Sequence, residues 1–370
     1  LLTGGGATQG DQIQYFVVAQ DMASVPNVTV SSGSTSNNAP ASVNLNSSPI
    51  SRCGAEILIQ LHYRIPVKWY VFGWSRSNIY FINQYRRFFQ YVNNNVVAGD
   101  VVVLITSNLN ETGTVALNQT SEFGGSNFKI SIQPSAPSVR TISGNYAGGL
   151  IRLNGADRVT IDGRFNNTGT GNYLSIVNSA TSGVTAGVQL SSLGNGQGAT
   201  NNTIRNCTFS LPRTGPTSIG IAVGGVLGNT GSDNDTLTIM NNTIRSGAYG
   251  IYVGGNVAPN TTDEVVITNN IIGGDTLATS GALLANITGL TCTNNSISNV
   301  ISTAPTALTI NAVRNASFAN NSIWNVQGSA GNPVGLSLVS TDSNIVVNNN
   351  MIRNVFYTGT GGYGGKGIDM

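Results

Sequence analysis

Two asparagines, one further residue and an isoleucine recur through the second half of the chain. The copies are Asn201-Asn202-Thr203-Ile204, Asn241-Asn242-Thr243-Ile244, Asn269-Asn270-Ile271-Ile272, Asn294-Asn295-Ser296-Ile297, Asn320-Asn321-Ser322-Ile323 and Asn349-Asn350-Met351-Ile352. The first step is 40 residues and the rest are 28, 25, 26 and 29. A second motif runs out of phase with the first: a glycine followed by alternating apolar positions, as in Gly187-Val188-Gln189-Leu190, Gly220-Ile221-Ala222-Val223, Gly250-Ile251-Tyr252-Val253, Gly335-Leu336-Ser337-Leu338 and Gly367-Ile368-Asp369-Met370. A repeat of this period marks a solenoid, because one unit alone cannot bury its apolar face while a stack of units can.

The apolar runs are short and alternate with period two, so the units are strands and not helices. Gly, Asn, Ser and Thr fill the gaps, and these residues turn a chain. Stacked coils lie about 4.8 Å apart, which brings like residues of successive coils into one column. Asparagines in such a column bond amide to amide. The fold expected is all-β, a right-handed parallel β-helix. A partial β-sandwich strand and a linker stand at its N-terminus.

Only 9% of the 370 residues are charged and 46 are glycine, against roughly 25% charged in an average domain. No run of apolar residues is long enough to cross a bilayer as a helix, so no membrane insertion is expected. The chain opens without a methionine or a signal peptide, and Gly367–Met370 begins a new coil. Both observations lead us to expect a piece of a longer protein, truncated at the C-terminal end of its helix.

Taken in order, residues 1–21 hold an alternating stretch, Ile13, Tyr15 and Val17, and are read as the end of an Ig- or fibronectin-like module. Residues 22–50, rich in Ser, Asn, Thr and Pro, read as a linker. Residues 51–87 do not fit. They carry six of the seventeen basic residues, Trp69, Trp74, Cys53 and His62, the single histidine. A basic-aromatic patch of this kind can bind nucleic acid or a membrane surface. The reading preferred here is a coding frame shifted by one nucleotide. In the neighbouring frame residues 79–87 can read Tyr-Ile-Ser-Leu-Thr-Asn-Thr-Gly-Gly, which matches the polar strand-and-turn character of the rest. Residues 88–370, the β-helix, hold eleven basic and twelve acidic side chains. That near-neutral balance gives no field to steer nucleic acid. Phe88, Phe89, Tyr91 and Val92 are expected to form a helical turn that caps the open end of the stack, since a bare first coil would template aggregation. Strands are expected at Val101–Thr106, Phe128–Gln133, Arg140–Ser143, Leu150–Leu153 and Val159–Gly163, in about ten coils.

Val159-Thr160-Ile161-Asp162-Gly163, the Asn-Asn repeat and the stretch from Gly10 to Val28 resemble large secreted surface proteins of Bacteroidota. The resemblance covers residues 1–30 and 88–370. It implies Ig-like modules joined to a pectin-lyase-like β-helix, export by type IX secretion, and a sorting domain lying outside these residues. The implied location is extracellular or at the cell surface. The implied partners are neighbouring domains of the same chain, an extracellular polysaccharide or a cell surface.

A polysaccharide lyase of this fold needs acids converging on Ca²⁺ and an Arg or Lys base, and a glycosidase needs paired carboxylates. The best acids are Asp233 and Asp235, with Asp263 and Glu264 one coil later. Arg205 and Arg245 directly follow Ile204 and Ile244 in two copies of the motif, and Arg353 follows Ile352, so all three are expected in one column. Arg205, Arg245, Asp233 and Asp235 are the catalytic candidates, and Asp233, Asp235, Asp263 and Glu264 are the Ca²⁺ candidates. The favoured alternative is that Asp-Asn-Asp in a glycine-flanked loop is turn chemistry. No catalytic residue, cofactor or metal is then expected.

Residues 88–370 contain no histidine, which removes His-based triads and metal sites. Cys207 and Cys292 are expected in different columns about 14 Å apart, too far for a disulfide. Gly361–Gly365 reads as a mobile turn. Tyr252 and Trp324 offer faces for sugar stacking or simply pack locally. A non-catalytic structural or adhesive module, glycan-binding in one form, is the leading expectation. A lyase or glycosidase acting on an acidic polymer is the alternative.

Overall fold

In the computed structural model the described residues are Phe16–Gln20, Val28–Ser32, Ser77–Ile82 and 85–370, apart from 126, 214–216, 226–227 and 340. The chain divides into two units, Leu1–Ile65 and Pro66–Met370. In the first, Phe16–Gln20 pairs antiparallel with Val28–Ser32, so a strand stands inside the stretch read as linker. The shifted-frame reading falls mostly on residues outside those described, as do Cys53, His62, Trp69 and Trp74. Its end does not. Ser77–Ile82 pairs in parallel with Asp100–Ile105, which starts the solenoid before residue 88.

The second unit is a right-handed parallel β-helix, as expected. Its first face is a ten-stranded parallel sheet, nine strands of which lie between Asp100 and Asn348 among the described residues. The other two faces join into one sixteen-stranded sheet, because Thr243–Gly254 and Ile271–Ala285 run unbroken across the corner between them. Columns of like residues follow from the register. On the first face Ile239 pairs with Ile267, Ile267 with Cys292, and Cys292 with Phe318. These inward positions merge with those of the other faces into one continuous apolar core.

The asparagine pair builds the corner between the first two faces. The leading asparagines, Asn241, Asn269, Asn294, Asn320 and Asn349, all adopt left-handed backbone with φ of 51–57°, a conformation that asparagine accepts more readily than most residues. The second asparagines turn inward and form the ladder. Asn242, Asn270 and Asn295 each donate from Nδ2 to the Oδ1 of the asparagine in the next coil, at 3.0–3.1 Å. That Oδ1 also accepts the backbone N–H of the same donor residue, at 2.9–3.0 Å.

The first copy of the motif is misplaced by its spelling. Thr203 and Ile204 pair with Thr238 and Ile239 on the ten-stranded face, so Asn201-Asn202 forms the preceding corner. The residue that stands above Asn241 is Asn206 (φ 53°), and Cys207 takes the ladder position, donating its N–H to Asn242 Oδ1. The true step there is 35 residues, which removes the anomalous interval of 40.

The glycines of the second motif interlock with this corner. A Cβ on Gly250 would lie 2.4 Å from Ile272 Cγ2 and 2.5 Å from the Gly281 carbonyl oxygen. Gly220 faces Ile244, Gly281 faces Ile297 and Gly335 faces Ile352 in the same way. The isoleucine of the asparagine motif therefore occupies the space that the glycine leaves open in these four coils, while Ala307 takes the glycine's place in the coil of Ile323.

At the N-terminal end Tyr85–Asn93 forms a helix that buries Tyr85, Phe88, Phe89 and Val92. It covers the edge of the face that ends at Leu117–Asn118: Asn93 donates to the Ala116 carbonyl and accepts from the Asn118 N–H. Tyr91, expected on the buried side, is instead half exposed, because the buried positions fall at the helical spacing of 85, 88, 89 and 92. No described helix is long and apolar enough to cross a membrane.

Candidate functional site

The acids do gather at one corner, where the chain enters the ten-stranded face. Asp233, Asp235 and Glu264 are each engaged by a turn of an adjacent coil and Asp263 by its own. Asp233 Oδ2 accepts the Gly196 N–H at 2.6 Å, and Asp235 Oδ1 accepts the Asp263 N–H at 2.7 Å. Asp263 Oδ1 accepts the Thr261 hydroxyl at 2.6 Å, and Glu264 Oε2 accepts that of Thr236 at 3.3 Å. Asp233, Thr236 and Glu264 all carry left-handed backbone, the strained turn geometry that such bonds support. Burial, followed by the charges of Asp263, Asp233 and Glu264, pushes the Asp235 carboxyl up to about 6. Among the described residues no three His, Cys, Asp or Glu side chains are placed to hold a metal ion.

The arginines are not in one column. Arg205 pairs with Met240 on the ten-stranded face, while Arg245 lies in Thr243–Gly254 of the other sheet. The cause is the misplaced first motif copy. Neither arginine meets the acid corner. Arg245 forms an exposed pair with Asp275 at 3.0 Å. Arg353 lies over the Trp324 ring at 5.6 Å. Arg205 reaches Asp162, a carboxylate with no exposed surface, at 2.8 Å, and Arg164 binds the same oxygen at 2.8 Å. Asn206 Nδ2 donates to its other oxygen. Burial disfavours the Asp162 anion. The hydrogen bonds from Arg164 and the charge of Arg205 outweigh that and hold its pKa below the usual carboxylate range.

This buried cluster borders a concavity of about 230 Å³ on the outer side of the ten-stranded face. Asp100, Lys129, Ser131, Thr160, Asn167 and Arg205 line it. Asp100 accepts the backbone N–H of Lys129 at 2.9 Å, and no ion pair forms at the Lys129 ammonium among the described residues. The sequence named Arg205 as a candidate but not its partner Asp162. The partner Arg205 is 43 residues away from Asp162, which no local pattern reveals.

The remaining candidates have local roles. Tyr252 packs against Ala186, Ile219 and Ala222. Cys207 and Cys292 are buried free thiols on different faces, and burial pushes the Cys292 thiol up to about 12. The glycine-rich turn is tied down: Gly361 N–H donates to the Tyr357 hydroxyl and Gly364 N–H to Asn332.

The family model described as "Right handed beta helix region" matches residues 224–369. No curated protein matches the chain in sequence. Among solved structures, an alginate lyase from Paenibacillus sp. str. FPU-7 is 12% identical over 79% of this chain and 99% of its own, with a TM-score of 0.41. PfbA, a surface adhesin of Streptococcus pneumoniae, is 16% identical over 74% of this chain and 70% of its own, with a TM-score of 0.39. A mannuronic acid specific polysaccharide family 6 lyase from human gut microbiota is 11% identical over 79% and 82%, also with a TM-score of 0.39. Likenesses of this degree carry no argument about activity.

Proposed function

We propose that this β-helix is a non-catalytic structural or adhesive module of a large secreted surface protein, extracellular and of the type IX secretion kind found in Bacteroidota. One observation carries the reading: the polar groups that repeat along the chain are bonded to one another between coils. The Asn242-to-Asn350 ladder joins five successive coils by side-chain amides. Arg205 and Arg245 are each neutralised by a carboxylate of their own neighbourhood. A stack joined in this way resists bending and shear, which suits a spacer or a display surface.

A second reading has one feature in its favour. The concavity beside Lys129 and Arg205 offers the Lys129 ammonium and the hydroxyls of Ser131 and Thr160, a combination that suits a carboxylate of an acidic polysaccharide. Incubating the intact chain with pectins, alginates and related polymers, with Ca²⁺ supplied, separates the two. The module reading predicts polymers of unchanged length. Chain shortening that disappears in Lys129→Ala would overturn it and make the concavity a lyase-like site.

A further inference from the structure

The acid corner holds a second kind of chemistry, independent of any carbohydrate. Asn-Gly dipeptides occur twice in the sequence, at Asn154-Gly155 and Asn195-Gly196. They sit in opposite surroundings. Gly155 donates its N–H to the Ser191 carbonyl at 2.8 Å, and Asn154 donates its side-chain amide to Asn118 Oδ1 at 3.1 Å. Asn195 and Gly196 instead lie in an exposed turn. The Gly196 nitrogen, with φ at +68°, is held 2.6 Å from the Asp233 carboxylate. The Asn195 side-chain carbonyl accepts the Ser232 hydroxyl at 2.9 Å. Ser232 is buried, and its oxygen in turn accepts Asn256 Nδ2 at 3.1 Å.

We propose that Asn195-Gly196 is a self-modifying site at which Asp233 and the Asn256–Ser232 relay promote cyclisation of the asparagine onto the backbone. The Gly196 nitrogen attacks Cγ of Asn195 and its proton passes to the Asp233 carboxylate. Ser232 donates to the oxygen on which negative charge develops, the arrangement that stabilises a tetrahedral intermediate in acyl transfer. The new N–Cγ bond forms, the Cγ–Nδ2 bond breaks, and the Nδ2 nitrogen takes up the proton and leaves as ammonia. Water then opens the five-membered imide at either carbonyl, which gives an aspartyl or an isoaspartyl residue. The product places a fifth carboxylate beside Asp233, Asp235, Asp263 and Glu264. It therefore alters the charge of this corner without an enzyme.

The test is peptide mapping by mass after timed incubation of the intact chain near neutral pH, folded and unfolded in urea. A folded chain usually restrains such cyclisation, so the proposal predicts an inversion. Position 195 converts faster in the folded chain than in the unfolded one, while position 154 converts more slowly in the folded chain. Asp233→Asn, which retains an acceptor oxygen for Gly196, slows folded conversion at 195 by about a hundredfold, the lower end of the range for a general base. Ser232→Ala slows it as well and serves where Asp233→Asn does not fold. Folded conversion at 195 no faster than in urea overturns the proposal. So does an unchanged or raised rate in a folded Asp233→Asn or Ser232→Ala chain, since those bonds would then be protecting the asparagine.

Discussion

Asn295→Leu is expected to destabilise the β-helix by about 2 to 6 kcal/mol, because it leaves at least two buried backbone groups without partners at about 1–3 kcal/mol each. Leucine nearly matches asparagine in shape, so packing alone would tolerate it. The hydrogen bonds would not. Asn295 Oδ1 accepts both the backbone and the side-chain N–H of Asn270 at 3.0 Å. Its Nδ2 donates to the Ile267 carbonyl at 2.9 Å and to Asn321 Oδ1 at 3.0 Å. The change cuts the ladder in its middle and strands the Asn270 N–H and the Ile267 carbonyl in a dry interior. The control is Thr293→Val, which removes a hydroxyl pair between Thr268 and Thr293 at 3.1 Å near the surface. Water replaces that bond, and a loss of about 0.5–1 kcal/mol is expected. Urea unfolding of both variants checks the contrast. Equal effects would mean that burial does not set the strength of the ladder.

Asp235→Asn is expected to act in the opposite direction, and only above a certain pH. The Asp235 carboxyl sits at about 6 in the folded chain, against about 3.9 for an unperturbed aspartate. An acid raised by folding favours the native state while protonated. Its contribution is fully present below about 3.9 and is lost as pH rises through about 6. Asparagine keeps the oxygen that accepts the Asp263 N–H and never carries the charge. The variant should therefore match the parent near pH 3 and exceed it by about 1–2 kcal/mol at pH 8, since about two pKa units at 1.36 kcal/mol each are discounted for a partly solvated site. Unfolding midpoints at the two pH values decide it. A variant less stable than the parent at pH 8 would show that the charged form is the one the corner favours.

The fold was legible because its two motifs are physically coupled. Ile244, Ile272, Ile297 and Ile352 each fill the gap beside a glycine, with Ala307 the one small substitute in the column, and the inward asparagines from Asn242 to Asn350 bond one to the next. Repeats of that kind are written in the chain itself. The first motif copy misled for a reason of the same kind. Corners at both ends of the ten-stranded face use left-handed asparagine, as at Asn201 and Asn206, so four letters alone do not say which corner they build. That slip put Arg205 beside Arg245. The acid corner was legible as a gathering of Asp233, Asp235, Asp263 and Glu264. Its chemistry was not, because the partners of Asp233 and Ser232 come from a loop 37 residues earlier. Loop lengths between coils vary, and no period predicts which loop lies above which.

Residue-resolved amide hydrogen exchange along the asparagine column tests the central claim most directly. The backbone N–H groups of Asn242, Asn270, Asn295 and Asn321 each donate to the Oδ1 of the next asparagine. Asn350 has no asparagine stacked beyond it among the described residues and serves as the comparator. If the repeated asparagines hold the coils together, the first four amides rank among the slowest to exchange in the chain and Asn350 exchanges far faster. Exchange at Asn270 and Asn295 as rapid as at Asn350 would contradict the account, because the column would then be a pattern in sequence without a bond behind it.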